Sequence, residues 1–598
     1  MTQIHFDPAD GAEAAALRGG AAALWGGDRR WQFRAGSTIE DVAFWRAFAK
    51  PLRYAALVAG ALPALAFPAP NLEFLAWFGL VPGMLLMRAA PTMREGAVRG
   101  WWFGVGFLLA SLYWLAPNLG PGLLLIAALI GALWTGFGAA IWSLLRPPLT
   151  PLRALVAIVA VPSFWLVADW ARSWQGLGGP WAVYGASQWQ HPVILALAAV
   201  GGIWLVSFAL VAANTGILIA VTARPVPVRL VGAAGAIIAV AAGPVAFGLT
   251  SQPPVTRHVT IALVQPGVVH NPTLSAFASQ DLSAGLRRDH ADLIVWGESS
   301  VAVDLSRPSS AARLDRLEAL SAADDAQLLV NQDSIVDGNH SKVALLIGPG
   351  GIDGRYVKSR LVPFGEYIPF RRELGWLTRI SKAAQENMVA GNGAHVLRVT
   401  TPGGQPLTIG VLICFESAFP DMSRVDTDHG AQLIVYQTSD STWQAGWEWV
   451  QAQHASLSAV RAAETGRPVV QAALTGDSVA FDPRGRLLAW KSSKFRGVAL
   501  ARIGLPPTSA RTPYDQLGDY VMWIAVGIAA LAAATALLRT GRIRRGPFRR
   551  HRPAGLPWDG NPRRDRSGAV AGTSRDGAAS SDTGLSDGGP AAAQRPEQ

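Results

Sequence analysis

Eight apolar stretches dominate this 598-residue chain. Seven follow one another at roughly 53–69, 72–87, 101–116, 121–145, 154–171, 193–221 and 230–249, and the eighth lies at about 520–538. Most approach the roughly 20 residues that a helix needs to cross hydrocarbon, and the first two are short and interrupted by proline. Half of all residues are hydrophobic, 16% are charged, 23 are tryptophan, and mean hydropathy is +0.25. That balance is too apolar for a soluble protein whose long segments are core helices, and it points to membrane spans.

Basic residues in the connections set an orientation. The lead-in, residues 1–50, is polar and carries Arg29, Arg30, Arg34, Arg46 and Lys50, without the layout of a signal peptide. The next connection, Pro68–Glu73, has no Lys or Arg, whereas the one after it has Arg88, Arg94 and Arg99. Pro117–Gly120 has none, Leu145–Arg153 has two, the loop after Asp169 has only Arg172, and Arg224 and Arg229 follow. The alternation predicts a membrane domain of seven spans over 51–250 and an eighth over 518–540. Both termini are then cytosolic, and the chain after Leu249 emerges on the periplasmic side of a bacterial inner membrane. The tail, 541–598, begins with Arg542, Arg544, Arg545, Arg549 and Arg550 and continues in Gly, Ala, Ser, Asp and Pro, a composition expected to stay disordered.

Residues 258–505 differ in character. Short apolar runs at 259–264, 293–296, 328–330, 343–347, 407–413 and 433–436 are bounded by turn signals such as Asp353-Gly354 and Pro402–Gly404. A helical pattern over Trp447–Gly466 alternates with them. This is the pattern of an α/β domain with buried strands, long enough to hold its own core. The net charge of +11 gives no case for nucleic acid, because basic residues cluster beside the spans and in the tail. No phosphate-binding glycine loop or zinc-type spacing is present, so neither cofactor nor metal is expected.

Chemistry-bearing residues stand just past three strands: Glu298 after Ile294–Gly297, Lys358 with Glu366 in the segment from Gly354, and Cys414 after Leu407–Ile413. Cys414 is the single cysteine, which excludes an intramolecular disulfide. Each alone has a plain reading: a small buried hydrophobe for the thiol, a surface charge for Lys358, a solvated or turn-ordering carboxylate for Glu298 and Glu366. Together they suit acyl transfer. A carboxylate takes the thiol proton, an ammonium stabilises thiolate and oxyanion, and a strand-to-helix corner favours the thiolate. His454, on the predicted helix, and His191, in a Trp-rich loop, are expected to pack or face solvent. Trp170, Trp174, Trp181, Tyr184 and Trp189 crowd the outer loop between spans five and six, either as an interfacial belt or as the lining of a lipid entrance.

Tyr356–Pro369 with its Lys358 and Glu366, and Gly410–Ser417 around Cys414, resemble the nitrilase superfamily. Placed between a seventh and an eighth span, they resemble its apolipoprotein N-acyltransferase family. Gly100–Trp114, Gly179–Gln188, Arg461–Pro468, Asp482–Arg486, Thr512–Tyr514 and Gly518-Asp519 add to the likeness, which covers about residues 51–540. The resemblance implies an α-β-β-α sandwich and a two-step reaction. Cys414 would take an acyl chain from a phospholipid as a thioester and pass it to the amine of a diacylglyceryl-cysteine at the start of an apolipoprotein. It further implies Glu298 as base, Lys358 as charge stabiliser, Glu366 as auxiliary carboxylate, Glu416 near the substrate, and a monomer embedded in the membrane. Gly297, Phe415 and Ser439–Trp443 depart from the family's usual Pro, Tyr and Asn-Asp-Ala-Trp-Phe. Two rival readings share parts of this pattern: a membrane-tethered amidase acting on a small amide, and a transporter or scaffold with a decayed catalytic domain.

Overall fold

The computed structural model describes residues 39–250, 253–336, 339–376, 388–442 and 449–544. The described residues up to 540 belong to one compact unit; of a second, 541–598, only Gly541–Arg544 is among the described residues, as helix. Arg29, Arg30 and Arg34 of the lead-in, Trp443, and the tail from 545 lie outside them.

Helix α1 (Ile39–Ala61) runs through the boundary expected at residue 50, so the chain is helical from Ile39. The first two apolar stretches are not single long helices. After α1 the chain makes a 3-10 turn at Leu62–Ala66, a second at Glu73–Trp77, and then only the short α2 (Val81–Arg88). Pro63, Pro68, Pro70 and Pro82 account for this, because a proline inside a helix removes a donor and clashes with the preceding turn. Helices α3 (Met93–Ser111), α4 (Gly122–Leu145), α5 (Pro151–Arg172), α6 (Pro192–Thr222) and α7 (Val226–Leu249) follow. Among the described residues, α4 to α7 and Tyr520–Leu538 make five helices long and apolar enough to cross a membrane. Helix α3 with the bent segment Tyr113–Leu119 makes a sixth, turned by 64° at its break.

Helix α6 is broken inside. Gly201 and Gly202 leave helical geometry, Gly202 at φ +70°, and a Cβ on Gly202 would meet the Tyr514 ring at 2.5 Å. Only glycine fits both conditions.

The extramembrane part holds two six-stranded sheets. The first has the order β12-β1-β2-β3-β4-β5, built from β1 (Arg257–Gln265), β2 (Leu293–Trp296), β3 (Gln327–Val336), β4 (Asn339–Gly348), β5 (Gly351–Val357) and β12 (Gly497–Leu505). The second has the order β11-β10-β9-β8-β7-β6, from β6 (Val396–Thr400), β7 (Pro406–Ile413), β8 (Leu433–Thr438), β9 (Val469–Ala473), β10 (Ser478–Phe481) and β11 (Leu487–Lys491). Strands β1, β2 and β3 are mutually parallel, as are β7, β8 and β9. Period-two alternation divides the first sheet between two cores. Ile261, Leu263, Leu293, Val295 and Leu329 face the second sheet. Ala262, Val264, Ile294, Trp296, Leu328 and Val330 instead pack with Leu317 and Leu320 on the outer layer. Helices α8 (Pro272–Ser283) and α9 (Ala311–Asp324) form that layer, and α10 (Pro420–Asp428) and α11 (Trp449–Thr465) cover the second sheet. The result is the α-β-β-α sandwich that the resemblance implied.

The hairpin turn between β4 and β5 falls at Pro349-Gly350. Asp353-Gly354, read in the sequence as a turn signal, lies inside β5, while Pro402–Gly404 is a turn as expected.

Candidate active site

Glu298 lies two residues past β2, Lys358 one residue past β5, and Cys414 directly past β7. Strand β5 runs in the same sense as β2 because two antiparallel steps, β3–β4 and β4–β5, separate it from the parallel core. All three residues therefore emerge at carboxyl ends of strands, where ligands gather in open α/β sheets. The two sheets are stitched together at this end. Gln437 Nε2 donates to Trp296 O (2.9 Å) and Leu329 O (3.1 Å), and Glu298 N donates to Thr438 O (3.1 Å). A Cβ on Gly297 would meet Leu474 N at 2.0 Å, so glycine lets the turn bearing Glu298 lie against the β9–β10 connection.

Lys358 is wholly buried, and its Nζ donates to Glu298 Oε1 (3.3 Å) and Glu366 Oε1 (2.7 Å). Burial opposes its charge, but Glu298 and Glu366 outweigh that and hold its pKa well above the ordinary lysine value. Glu366 also accepts from Val362 N at 2.9 Å, which fixes the loop after Lys358. Glu298 would be raised by burial, yet Lys358, Lys342 and a hydrogen bond from the Cys414 side chain hold it below the usual carboxylate range. It is thus an ionised carboxylate beside a thiol.

Cys414 is half-buried and adopts φ +51°, a left-handed conformation that costs a non-glycine residue about 1–2 kcal/mol. Burial first, and then the Glu298 carboxylate, push its thiol well above the ordinary value, with Lys358 opposing. The segment Cys414–Ala418 is a short 3-10 turn rather than the start of a longer helix, and burial and Glu298 both favour the protonated thiol. The strand-to-helix corner expected to favour a thiolate is thus a different kind of turn.

Glu416 is not free to meet a substrate. Its Oε1 accepts from Tyr356 OH, Ser359 N, Ser359 Oγ and Arg360 N at 2.7–3.0 Å, and its Oε2 accepts from Ile413 N at 2.7 Å. This buried carboxylate ties the segment after Lys358 to the end of β7, a positioning task rather than the substrate contact implied for it. Lys342 escaped the sequence reading, and His454 was expected only to pack or face solvent. Lys342 Nζ stands 3.7 Å from Glu298 and donates to Asp333 (2.8 Å) and Ser299 (2.7 Å). His454 is buried, 3.2 Å from the Cys414 carbonyl oxygen. His191, by contrast, is partly exposed and pairs with Glu73 at 3.5 Å.

The membrane part reaches this site through the loop after α5. Arg172, paired with Asp169 at 2.9 Å, donates to the carbonyls of Trp181 and Ala182. The Trp181 ring stacks on Phe415 (6.4 Å) and meets His454 edge-on (5.3 Å). The aromatic cluster therefore divides. Tyr184 and Trp189 are core residues, Trp181 backs the turn that begins with Cys414, and Trp170 and Trp174 are exposed. A cavity of about 490 Å³ opens between Ser173, Trp174 and Gln175 of this loop and Ser359, Arg360 and Met422 of the sandwich.

A buried glutamate and lysine beside a half-buried cysteine, at the joined ends of two such sheets, define a carbon-nitrogen hydrolase domain, here set against a helical membrane base. The carbon-nitrogen hydrolase family model matches residues 260–510, and the model of the apolipoprotein N-acyltransferase N-terminal domain matches residues 59–216. The apolipoprotein N-acyltransferase of Chlorobaculum tepidum is 26% identical over 542 residues, covering 83% of this chain and 98% of the relative. Those of Vibrio vulnificus and Pseudomonas aeruginosa are 27% and 28% identical over 507 and 516 residues, covering 79% and 81% of this chain and 95% of each relative. The chain belongs to the apolipoprotein N-acyltransferase family.

Proposed function

We propose that this protein transfers an acyl chain from a membrane phospholipid to the N-terminal amine of a diacylglyceryl-cysteine on apolipoproteins, through a thioester on Cys414. Glu298 takes the thiol proton as sulfur attacks the acyl ester. Lys358 stabilises the oxyanion, and the departing lysophospholipid oxygen takes the proton back from Glu298. The acceptor amine then attacks the thioester, Glu298 collects the amine proton, and the Cys414 thiol is regenerated. Glu366 keeps Lys358 charged and aimed; Glu416 holds the loop that carries Lys358. The cavity beside Trp174 and Arg360 is where a lipid-borne substrate would enter.

The observation that carries this reading is the meeting of Glu298, Lys358 and the Cys414 thiol on the side of the sandwich against which the membrane-borne Trp181 packs. Both substrates live in a bilayer, and a site held against membrane helices suits them better than a small soluble amide. The intact trio also speaks against a decayed domain. The same reading gives the topology: eight crossings with the first two as broken helices, both termini cytosolic, a periplasmic catalytic domain and a monomeric enzyme.

The deciding experiment is mass spectrometry of the purified protein after exposure to phospholipid. Acyl mass on the Cys414 peptide, absent in Cys414→Ala, is the expected result. Hydrolysis of small amides with no acyl-enzyme from phospholipid would overturn the proposal in favour of the amidase.

A further inference from the structure

The Glu–Lys–Cys trio does not use His454, yet this imidazole is held on every side. On α11, its Nδ1 is 3.1 Å from Asp440 Oδ1, and its Nε2 is 3.2 Å from the Cys414 carbonyl oxygen and 2.9 Å from Ser417 Oγ. Trp181 packs on the ring at 5.3 Å. A carboxylate and a carbonyl only accept hydrogen bonds, so an imidazole lying between them satisfies both only with a proton on each nitrogen. The neutral alternative, with Nε2 accepting from Ser417, would turn a lone pair toward the Cys414 oxygen. Cys414 is a non-glycine residue at φ +51°, where the direction of its carbonyl is what the turn must hold against relaxation.

We propose that His454 is a positioning residue, an imidazolium kept by Asp440, whose Nε2–H pins the Cys414 carbonyl and thereby keeps the thiol on Glu298. The inference rests on the reading of Cys414 as nucleophile and names the device that aims it. The charged and titratable groups facing the ring are Asp440 from the segment after β8, Glu298 from the turn after β2, and Cys414 itself, with Lys358 behind Glu298. Burial disfavours the imidazolium, but Asp440 and the Cys414 carbonyl outweigh it and raise the pKa above the ordinary histidine value. Asp440 is in turn seated by its own N–H, which donates to Thr475 O at 2.8 Å.

Two measurements on the full-length protein test this, and neither needs phospholipid or lipoprotein. In the first, nitrogen NMR of histidine-labelled protein, assigned by difference from His454→Gln, should find both His454 ring nitrogens still protonated at a pH where an ordinary histidine has lost its proton. Asp440→Asn should move that titration down by about one pH unit or more. In the second, alkylation of the single cysteine by iodoacetamide should slow about tenfold or more in His454→Ala, as the thiol swings off its base. His454→Gln, which restores an N–H toward the carbonyl, should stay within about threefold of the wild type, while the two variants melt alike. A His454 that is neutral at that pH, or equal alkylation rates in the two variants, would overturn the proposal. Loss of the acyl-enzyme with this alkylation pattern intact would instead count against phospholipid acyl transfer alone.

Discussion

Helices α9 and α11 do the same job in the two halves of the sandwich, each covering the outer face of one sheet, but their surroundings differ. Helix α9 buries a single stripe, Leu317, Leu320, Ser321 and Asp324, and leaves Asp315, Arg316 and Ala319 exposed. Helix α11 is buried almost all round, polar residues included, because its second face lies on membrane helices. Those polar residues have taken specific partners. Gln453 accepts from Trp114 Nε1 (3.1 Å), His454 meets Cys414, and Glu464 accepts from Ile203 N at the break in α6 (2.7 Å) while lying 3.1 Å from Arg461. The layer that faces solvent in one half is, in the other, the joint between catalytic domain and membrane.

If the halves share one site, disabling either should be equally severe. Glu298→Gln, in the first half, should lower acyl transfer by roughly 10²–10⁴-fold, and Cys414→Ala, in the second, should leave no acyl-enzyme; a stopped assay of lipid transfer reads both. The next effect is on stability. At about pH 8, Glu464→Ala strands Arg461 and the Ile203 N–H and should cost about 3–5 kcal/mol, whereas Asp315→Ala on α9 should stay within about 0.5 kcal/mol in thermal or denaturant melts. Equal costs would erase the contrast.

A pH series sharpens it further. Burial, only partly offset by Arg461 and the Ile203 N–H, raises Glu464 from 4.5 to about 7. The folded protein then keeps a proton that the unfolded chain releases near 4.5, so this group's contribution to stability falls as pH rises between those values. Glu464→Gln should remove that decline from the melting temperature. The smallest effect is Trp114→Phe, which deletes the bond to Gln453 and should cost about 1 kcal/mol in the same melts.

Glu298, Lys358 and Cys414 were legible because each stands where a run of apolar or β-branched residues gives way to a turn. Their convergence was legible only through the resemblance, since strand order does not follow from strand content. Lys342 was hidden by hairpin register. Once the turn lies at Pro349-Gly350, β4 and β5 pair Val343 with Val357, which brings Lys342 beside Lys358; a turn at Asp353-Gly354 would not. Strand β5 carries no strong apolar run because it is an edge strand with much of its surface exposed. His454 gave no local signal at all. Forty residues separate it from Cys414, and the period of α11 marks it as buried without saying against what.

Glu464 caps the reopened end of α6 from outside, and Tyr514 fills the notch left by Gly202. An excised segment 258–505 would therefore bare the inward side of α11 to water, and the amputated helix would lose the acceptor for its Ile203 amide. Unlike a free-standing amidase grafted onto an anchor, the sandwich and its base are each unfinished without the other.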